Sequence, residues 1–443
     1  MTMPDNLLTP LFSTPEMTAA TSDEAWLQGM LDFEAALAAA QADAGLIPRA
    51  AATAIVARCH SRYFEIETIG CEALAGGNPA IPLVAALTHQ VADEASRYVH
   101  WGATSQDVID TATMRVLHKA LPLIGTDLLA IEDACARLAQ EHRDTLMPGR
   151  TLLQQGPPIS FGLKAAGWLV SIRHARRELQ AVHAGKLALQ FGGAVGTLAP
   201  LGEQGIAVLT AMARRLDLNA PELPWHSARQ RLLRIVSTLA LAASALGKIA
   251  QDIVLLMQTE VAEVSEPHAG GSSSMPHKRN PVASTLTLAA VRRLHAQMAT
   301  LFNNSLHEHE RAAGAWHAEW QPLFDCLRLA AAAARHMRDA TTGLIVNSEQ
   351  MQRNLQATQG VTMAEAAKTL LAPHLGRTQA HQLVADACKR ALAEARPLAD
   401  ILAADATVAE HTTGAALQAA LAPANYTGST QGFIDRALDD NQE

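Results

Sequence analysis

The sequence predicts an all-α protein built around a bundle of long helices, and three observations carry that prediction. Hydrophobic residues make up 49% of the 443-residue chain but aromatics only 4%, and alanine fills runs such as Ala331 to Ala334. Such a core suits closely approaching helices with small residues between them. Between Pro224 and Pro267 there is no proline and one glycine, Gly247, and between Pro281 and Pro322 the pattern repeats with only Gly314. Alternation of period two, the signature of a half-buried strand, is scarce.

The first helix is expected from Thr21, which with Glu24 forms a capping box, through Trp26, Met30, Phe33 and Leu37 at helical spacing. Gly45 and Pro48 should end it. Short helical pieces broken by Gly70, Gly76, Gly77, Pro79 and Pro82 follow to about Val99, giving an N-terminal helical domain over 1–99. A helix over Ser105 to His142, bent at Pro122, opens a central long-helix domain over 100–345. Within it, Leu246, Ile249, Ile253, Leu256 and Met257 recur at three and four in a helix of up to about 45 Å. A second long helical stretch is expected between Pro281 and Pro322. Shorter, separated helices make a C-terminal domain over 346–443, and no repeat of 20 to 50 residues is visible. Helices this long with small apolar faces rarely bury themselves within one chain, so a multi-subunit bundle is expected.

Composition excludes several classes. Cys59, Cys71, Cys135, Cys326 and Cys388 are odd in number, scattered and without CxxC spacing, which predicts reduced, buried thiols and a cytoplasmic location. The N-terminal residues carry Asp5 and no apolar core, unlike a secretory signal. The least polar stretch is uncharged only from Ile235 to Gly247, between Arg234 and Lys248, short of the roughly 20 residues of a membrane span. A net charge of -8 argues against nucleic acid as a partner. An anionic ligand must therefore be drawn by a local cluster of cations.

One segment supplies such a cluster. Gly270 to Pro281 reads GGSSSMPHKRNP: two glycines, three hydroxyls at Ser272, Ser273 and Ser274, then Lys278, Arg279 and Asn280. Proton-transfer groups, cations and an amide within so few residues suit a mobile loop that handles a carboxylate, whereas GGSSS alone would read as a linker. A second candidate is HWGATSQDVIDTA from His100 to Ala112, where Thr104, Ser105 and Asp107 sit at the start of a helix. Hydroxyls and unpaired N–H groups there favour a bound carboxylate, although an isolated TSxD is ordinarily a helix cap.

Gly271 to Pro281 matches in full the loop GSSxMPxKxNP, and with HWGATSQDVIDTA it resembles the fumarase/aspartase superfamily from about Leu11 to the C-terminus. EAALAAAQADAGLIP, GNPAIPLVAAL, LQFGGAVGTLA and EHERAAGAWHAEW look like the lactonising branch, the bacterial 3-carboxy-cis,cis-muconate cycloisomerases. The resemblance implies a three-domain fumarase/aspartase fold, a homotetramer with active sites shared between subunits, a small tricarboxylate substrate, and no cofactor. It implies that Ser272 moves a proton at the carbon next to a carboxylate. It also implies that Thr104 and Ser105 bind a carboxylate with His100 nearby, that Lys278 and Asn280 hold the carboxylate whose α-carbon gains or loses the proton, and that Arg311 lies at the ligand. A serine is a poor base unless cations and backbone N–H groups stabilise its alkoxide.

The segment GRTLLQQGPPISFGLK departs from the adenylosuccinate lyases, which carry a histidine where Leu152 stands; some cycloisomerases place one where this chain has Gln155. Gln155 hydrogen-bonds but cannot shuttle protons. The loss fits lactonisation, whose reverse expels a carboxylate, and counts against amine lyases, whose leaving group needs an acid. His307 and His309 read as exposed helical residues rather than metal ligands, since i, i+2 spacing puts them on nearly opposite faces, so no metal is expected. Trp316 and Trp320, four apart, should pack together. Gly192, Gly193 and Gly196 do not form GxGxxG, so no nucleotide cofactor is implied.

Overall fold

The computed structural model describes residues 7–268, 270–271 and 274–439. It is 68% helical, and the chain packs into two compact units: Met1–Leu128, His174–Gly247 and Leu286–Arg335 in the first, Leu129–Arg173, Lys248–Thr285 and His336–Glu443 in the second. The long helices are α1 (Asp23–Asp43), α2 (Ser105–Glu141), α3 (Phe161–Lys186), α4 (Gln230–Leu256), α5 (Val282–Asn303) and α6 (Trp320–Thr342).

In the first unit, α1 starts one residue later than its sequence suggests. Ser22 is the cap, its hydroxyl accepting from Ala25 N–H at 3.1 Å, while the Thr21 hydroxyl donates to Met17 O and closes the preceding turn. At the other end Gly45 adopts φ 73° and Leu46 N–H reaches Gln41 O at 2.9 Å, the left-handed stop its glycine predicts. α1 lies close to α2, because a Cβ on Gly29 would come within 3.1 Å of the Ala112 backbone. Val108, Ile109, Ala112, Val116 and Leu117 on α2 are buried, as are Met30, Phe33 and Leu37 on α1. Each large side chain among them contributes about 1.5–3 kcal/mol through removal from water. Pro122 lies inside α2, as expected.

α4 runs for 27 residues, about 40 Å at helical rise. Leu246, Ile249, Ile253 and Leu256 are all buried. Among the described residues α4 alone is long and apolar enough to cross a membrane, but 61% of its most apolar window is buried within the protein, as in a core helix. The second long stretch is not continuous. α5 ends at Asn303 and α6 begins at Trp320, with irregular chain between that holds His307, His309 and Arg311. The His307 side chain is buried, not exposed, and His309 has φ 40°. Trp316 and Trp320 do pack, edge to face at 4.9 Å.

The second unit contains a hairpin that helical periodicity could not announce: β1 (Leu146–Thr151) pairs antiparallel with β2 (Gln154–Ser160), with Met147 opposite Ile159 and Thr151 opposite Gln154. Its two-residue tip is Leu152–Leu153, with φ 50° and 65° and exposures of 96% and 73%. Turns of this kind favour Asn-Gly, because both residues need positive φ. β3 (Val264–Ser265) pairs with β4 (Ile345–Val346). A C-terminal core gathers Met363, Leu371, Val384, Leu398, Ile401 and Leu417. All five cysteines are free; Cys59, Cys135 and Cys326 are buried, Cys388 is half-buried, and Cys71 is exposed, contrary to expectation. Burial pushes the Cys135 and Cys326 thiols up to about 12, which makes them poor nucleophiles.

Candidate active site

The first unit places His100, Thr104, Ser105 and Arg311 around one buried carboxylate. Asp107 is fully buried at the third position of α2. Its Oδ2 accepts from the N–H of Thr104 at 3.1 Å and of Gly193 at 2.8 Å; its Oδ1 accepts from Gly192 N–H at 3.1 Å and Gln190 Nε2 at 3.2 Å, and lies 2.6 Å from His226 Nε2. The backbone N–H groups expected to be unpaired at this helix start are thus not all free, since the Thr104 N–H is taken by Asp107. The aspartate turns inward and takes that N–H itself, as in half of a capping box. The hydroxyls of Thr104 and Ser105, both half-buried, have no hydrogen-bond partner among the described residues. They remain donors for an incoming carboxylate.

The glycines at 192 and 193 serve close packing. A Cβ on Gly192 would stand 2.7 Å from the His226 ring, and one on Gly193, whose φ is 67°, would stand 2.7 Å from Gly102 O. Held this way, the Gly193 peptide offers its carbonyl to Arg311 Nη2 at 2.6 Å, while Nη1 donates to Glu310 O at 2.6 Å. Burial lowers the Arg311 pKa against the opposing pull of Asp107 and Asp110, yet a guanidinium stays charged. It is the cation of this cluster, half-buried, with donors left over for an anion.

His100, at φ 58°, lies with Nδ1 2.6 Å from Oε1 of the buried Glu34. Burial alone would lower its pKa, but the charge of Glu34, the hydrogen bond to it and the charge of Asp107 together raise it. A raised folded pKa gives stability that is complete below the ordinary value near 6.5 and is lost as pH rises through the folded value. Glu34→Gln should therefore bring the His100 titration down, read by its ring proton shifts, and flatten the loss of stability as pH rises above the ordinary histidine value. An unmoved titration would show that Glu34 does not set the charge of His100.

Beneath this cluster lies a buried ion triad that the sequence did not announce. Arg229 donates to Asp110 at 2.7 and 3.2 Å and to Glu319 at 2.6 and 3.1 Å, and stacks on Trp225 at 5.0 Å. Trp316 Nε1 donates to Asp110 at 3.0 Å. His307 Nε2 is 3.2 Å from Glu319 Oε1 but outside hydrogen-bonding geometry. The triad and Trp316 thus fasten the C-terminal end of the irregular segment that bears Arg311 to α2.

The second unit holds Gln155, Lys278 and Asn280. Gln155 lies on β2 opposite Arg150, and its Oε1 is buried with no partner among the described residues. Arg150 is locked by paired bonds of 2.9 and 2.6 Å to the buried Glu263, which also accepts from Asn354 at 2.8 Å. Asn280 exchanges backbone hydrogen bonds with Gly270 at 2.8 and 3.0 Å, and its side chain donates to Gly271 O at 3.3 Å. Lys278 is exposed and has no ion-pair partner among the described residues. Ser272 and Ser273 lie outside the described residues. Among those described, no group of three or more His, Cys, Asp or Glu residues could hold a metal ion.

Comparison with known proteins places the chain in a family. Residues 12–295 match the family model described as Lyase, and residues 360–437 the one described as Adenylosuccinate lyase C-terminus. The chain is 47% identical over 439 residues to a 3-carboxy-cis,cis-muconate cycloisomerase of Bradyrhizobium diazoefficiens, covering 98% of this chain and 97% of that protein. It is 42% identical to a nitrosuccinate lyase of Streptomyces davaonensis, covering 98% and 94%. The crystal structure of the 3-carboxy-cis,cis-muconate lactonizing enzyme from Pseudomonas putida superposes with a TM-score of 0.92 at 43% identity, covering 98% of both chains.

Proposed function

We infer, from the premise that the chain belongs to the lyase family that includes the fumarase/aspartase enzymes and their lactonising branch, that it is a 3-carboxy-cis,cis-muconate cycloisomerase. The observation that carries the reading is full-length identity of 42–47% to cycloisomerases of four bacteria. The absence of the adenylosuccinate lyases' histidine at Leu152 agrees with it, while Gln155 departs from those cycloisomerases that carry a histidine there. The C6 carboxylate of the substrate adds internally across the diene to give 4-carboxymuconolactone, and Ser272 delivers the proton to the aci-carboxylate carbon. Lys278 and Asn280 stabilise that dianionic intermediate, while Thr104, Ser105 and Arg311 hold a further carboxylate and His100 adds positive charge. Gln155 donates to a carboxylate or lactone oxygen. The product would serve protocatechuate breakdown in the cytoplasm. Three consecutive domains, and sites completed by different subunits of a homotetramer, belong to the same reading, motivated by the long apolar helices.

Purified protein should consume the diene absorbance of 3-carboxy-cis,cis-muconate, and dialysis against a strong chelator should leave the rate unchanged. Light scattering of the same preparation should give four chains. A specific observation supports an elimination as the rival reading, since a relative at 42% identity is named nitrosuccinate lyase and the C-terminal family model is that of adenylosuccinate lyase. Turnover of nitrosuccinate or adenylosuccinate with an inert muconate would establish the rival.

A further inference from the structure

Glu266 is buried, at 1% exposure, and among the described residues its carboxylate has no cationic partner. Its two oxygens accept instead from the first turn of α5: Oε1 from Ser284 N–H at 2.8 Å and Oε2 from Ala283 N–H at 3.1 Å. An isolated buried carboxylate is costly unless its acceptors are filled, and the unpaired N–H groups and positive end of a helix fill them. These bonds span the segment that carries Ser272, Lys278 and Asn280, so the anion joins the chain entering the loop to the helix leaving it. Just inside, Gly270 and Asn280 exchange their two backbone bonds. A side chain on Gly270 would meet Val282 Cγ2 at 2.4 Å, so a larger residue there would force Val282 to move.

We propose that Glu266 is a positioning residue for the reaction, fixing the base of the Ser272–Lys278 loop by clamping it to α5. The inference deepens the cycloisomerase reading and rests on it for the role of the loop, while the clamp itself rests on geometry alone. A carboxylate offers two acceptors to two N–H donors, whereas an amide offers one and turns its NH2 toward the other donor. The variants should therefore rank with Glu266→Gln between wild type and Glu266→Ala.

The test uses the full-length protein without ligand. In Glu266→Gln, hydrogen exchange should speed up in peptides covering 270–290 and stay unchanged over 235–250 on α4. Trypsin should cut several-fold faster after Lys278 or Arg279. With 3-carboxy-cis,cis-muconate, kcat should fall by about 10-fold to 10²-fold, as displaced catalytic groups do, with KM moving less than about threefold. Exchange, cleavage and kcat all matching wild type would overturn the clamp, and so would a loosened loop with kcat unchanged. Hydrogen exchange reads each segment separately, so a variant of lower global stability still shows whether the loss is confined to the loop. If the wild type is inactive on muconate and the loop nevertheless loosens, the functional reading fails and the clamp stands.

Discussion

Ser272→Ala is expected to abolish turnover, with kcat lower by about 10²–10⁴-fold, the range that general acid–base catalysis contributes, while ligand binding stays within about threefold. The assignment rests on position, since Ser272 lies six residues before Lys278 in a complete GSSxMPxKxNP loop. It also rests on selectivity: only a group acting in the transition state lowers kcat without weakening the ground-state complex. Ser273→Ala and Ser274→Ala are the internal controls and should retain most of their activity. Near-normal turnover in Ser272→Ala with an inactive neighbour would shift the role along the loop. Three active variants would remove serine from the chemistry.

The largest effect on stability is expected at Arg229. Methionine there keeps much of the volume but leaves Asp110 and Glu319 facing each other in a buried site without their shared cation. Breaking such a pair from one side costs about 3–5 kcal/mol. The Arg229 pKa is raised because the two carboxylates outweigh the burial that would lower it. Urea unfolding of Arg229→Met should show that loss. Adding Asp110→Asn and Glu319→Gln should recover part of it, because the stranded charges are then gone. A loss below about 1 kcal/mol in the single variant would mean that the triad is replaceable in place. Activity should fall as well, since Trp316 and Glu319 tether the segment that carries Arg311.

The parts legible in the sequence are those whose causes are local. α4 follows from a proline-free run with apolar residues at three and four, and α1 from a cap, a periodic face and a glycine stop. Where two neighbours can both cap, as Thr21 and Ser22 can, local reasoning is off by one, and packing of the short preceding helix decides. The break between α5 and α6 was not legible, because one glycine does not end a helix. It is held open by distant partners instead: Ser227 donates to His309 O, Trp316 reaches Asp110, and Glu319 meets Arg229. Asp107 shows the same limit at the site. Its place at a helix start is visible in TSQD, but four of its five partners come from residues more than eighty positions away. The loop from Gly270 to Asn280 displays its chemistry in the sequence, whereas Glu266 reads as an ordinary acidic residue until α5 is seen to begin beside it.

The hairpin tip bears on any attempt to improve this protein. A redesign that scores each residue by its own chain would replace Leu152–Leu153 at once, since two bulky side chains in left-handed backbone and in water violate both turn chemistry and solubility. Asn-Gly there would relax the turn and raise the thermal midpoint of the protein. The same edit would erase the feature of the β1–β2 hairpin least explained by folding alone, close to Gln155, whose buried oxygen lacks a partner among the described residues. Screens for heat resistance and screens for turnover should therefore select opposite residues at these two positions, so a library diversified only there would separate what the fold tolerates from what the enzyme uses.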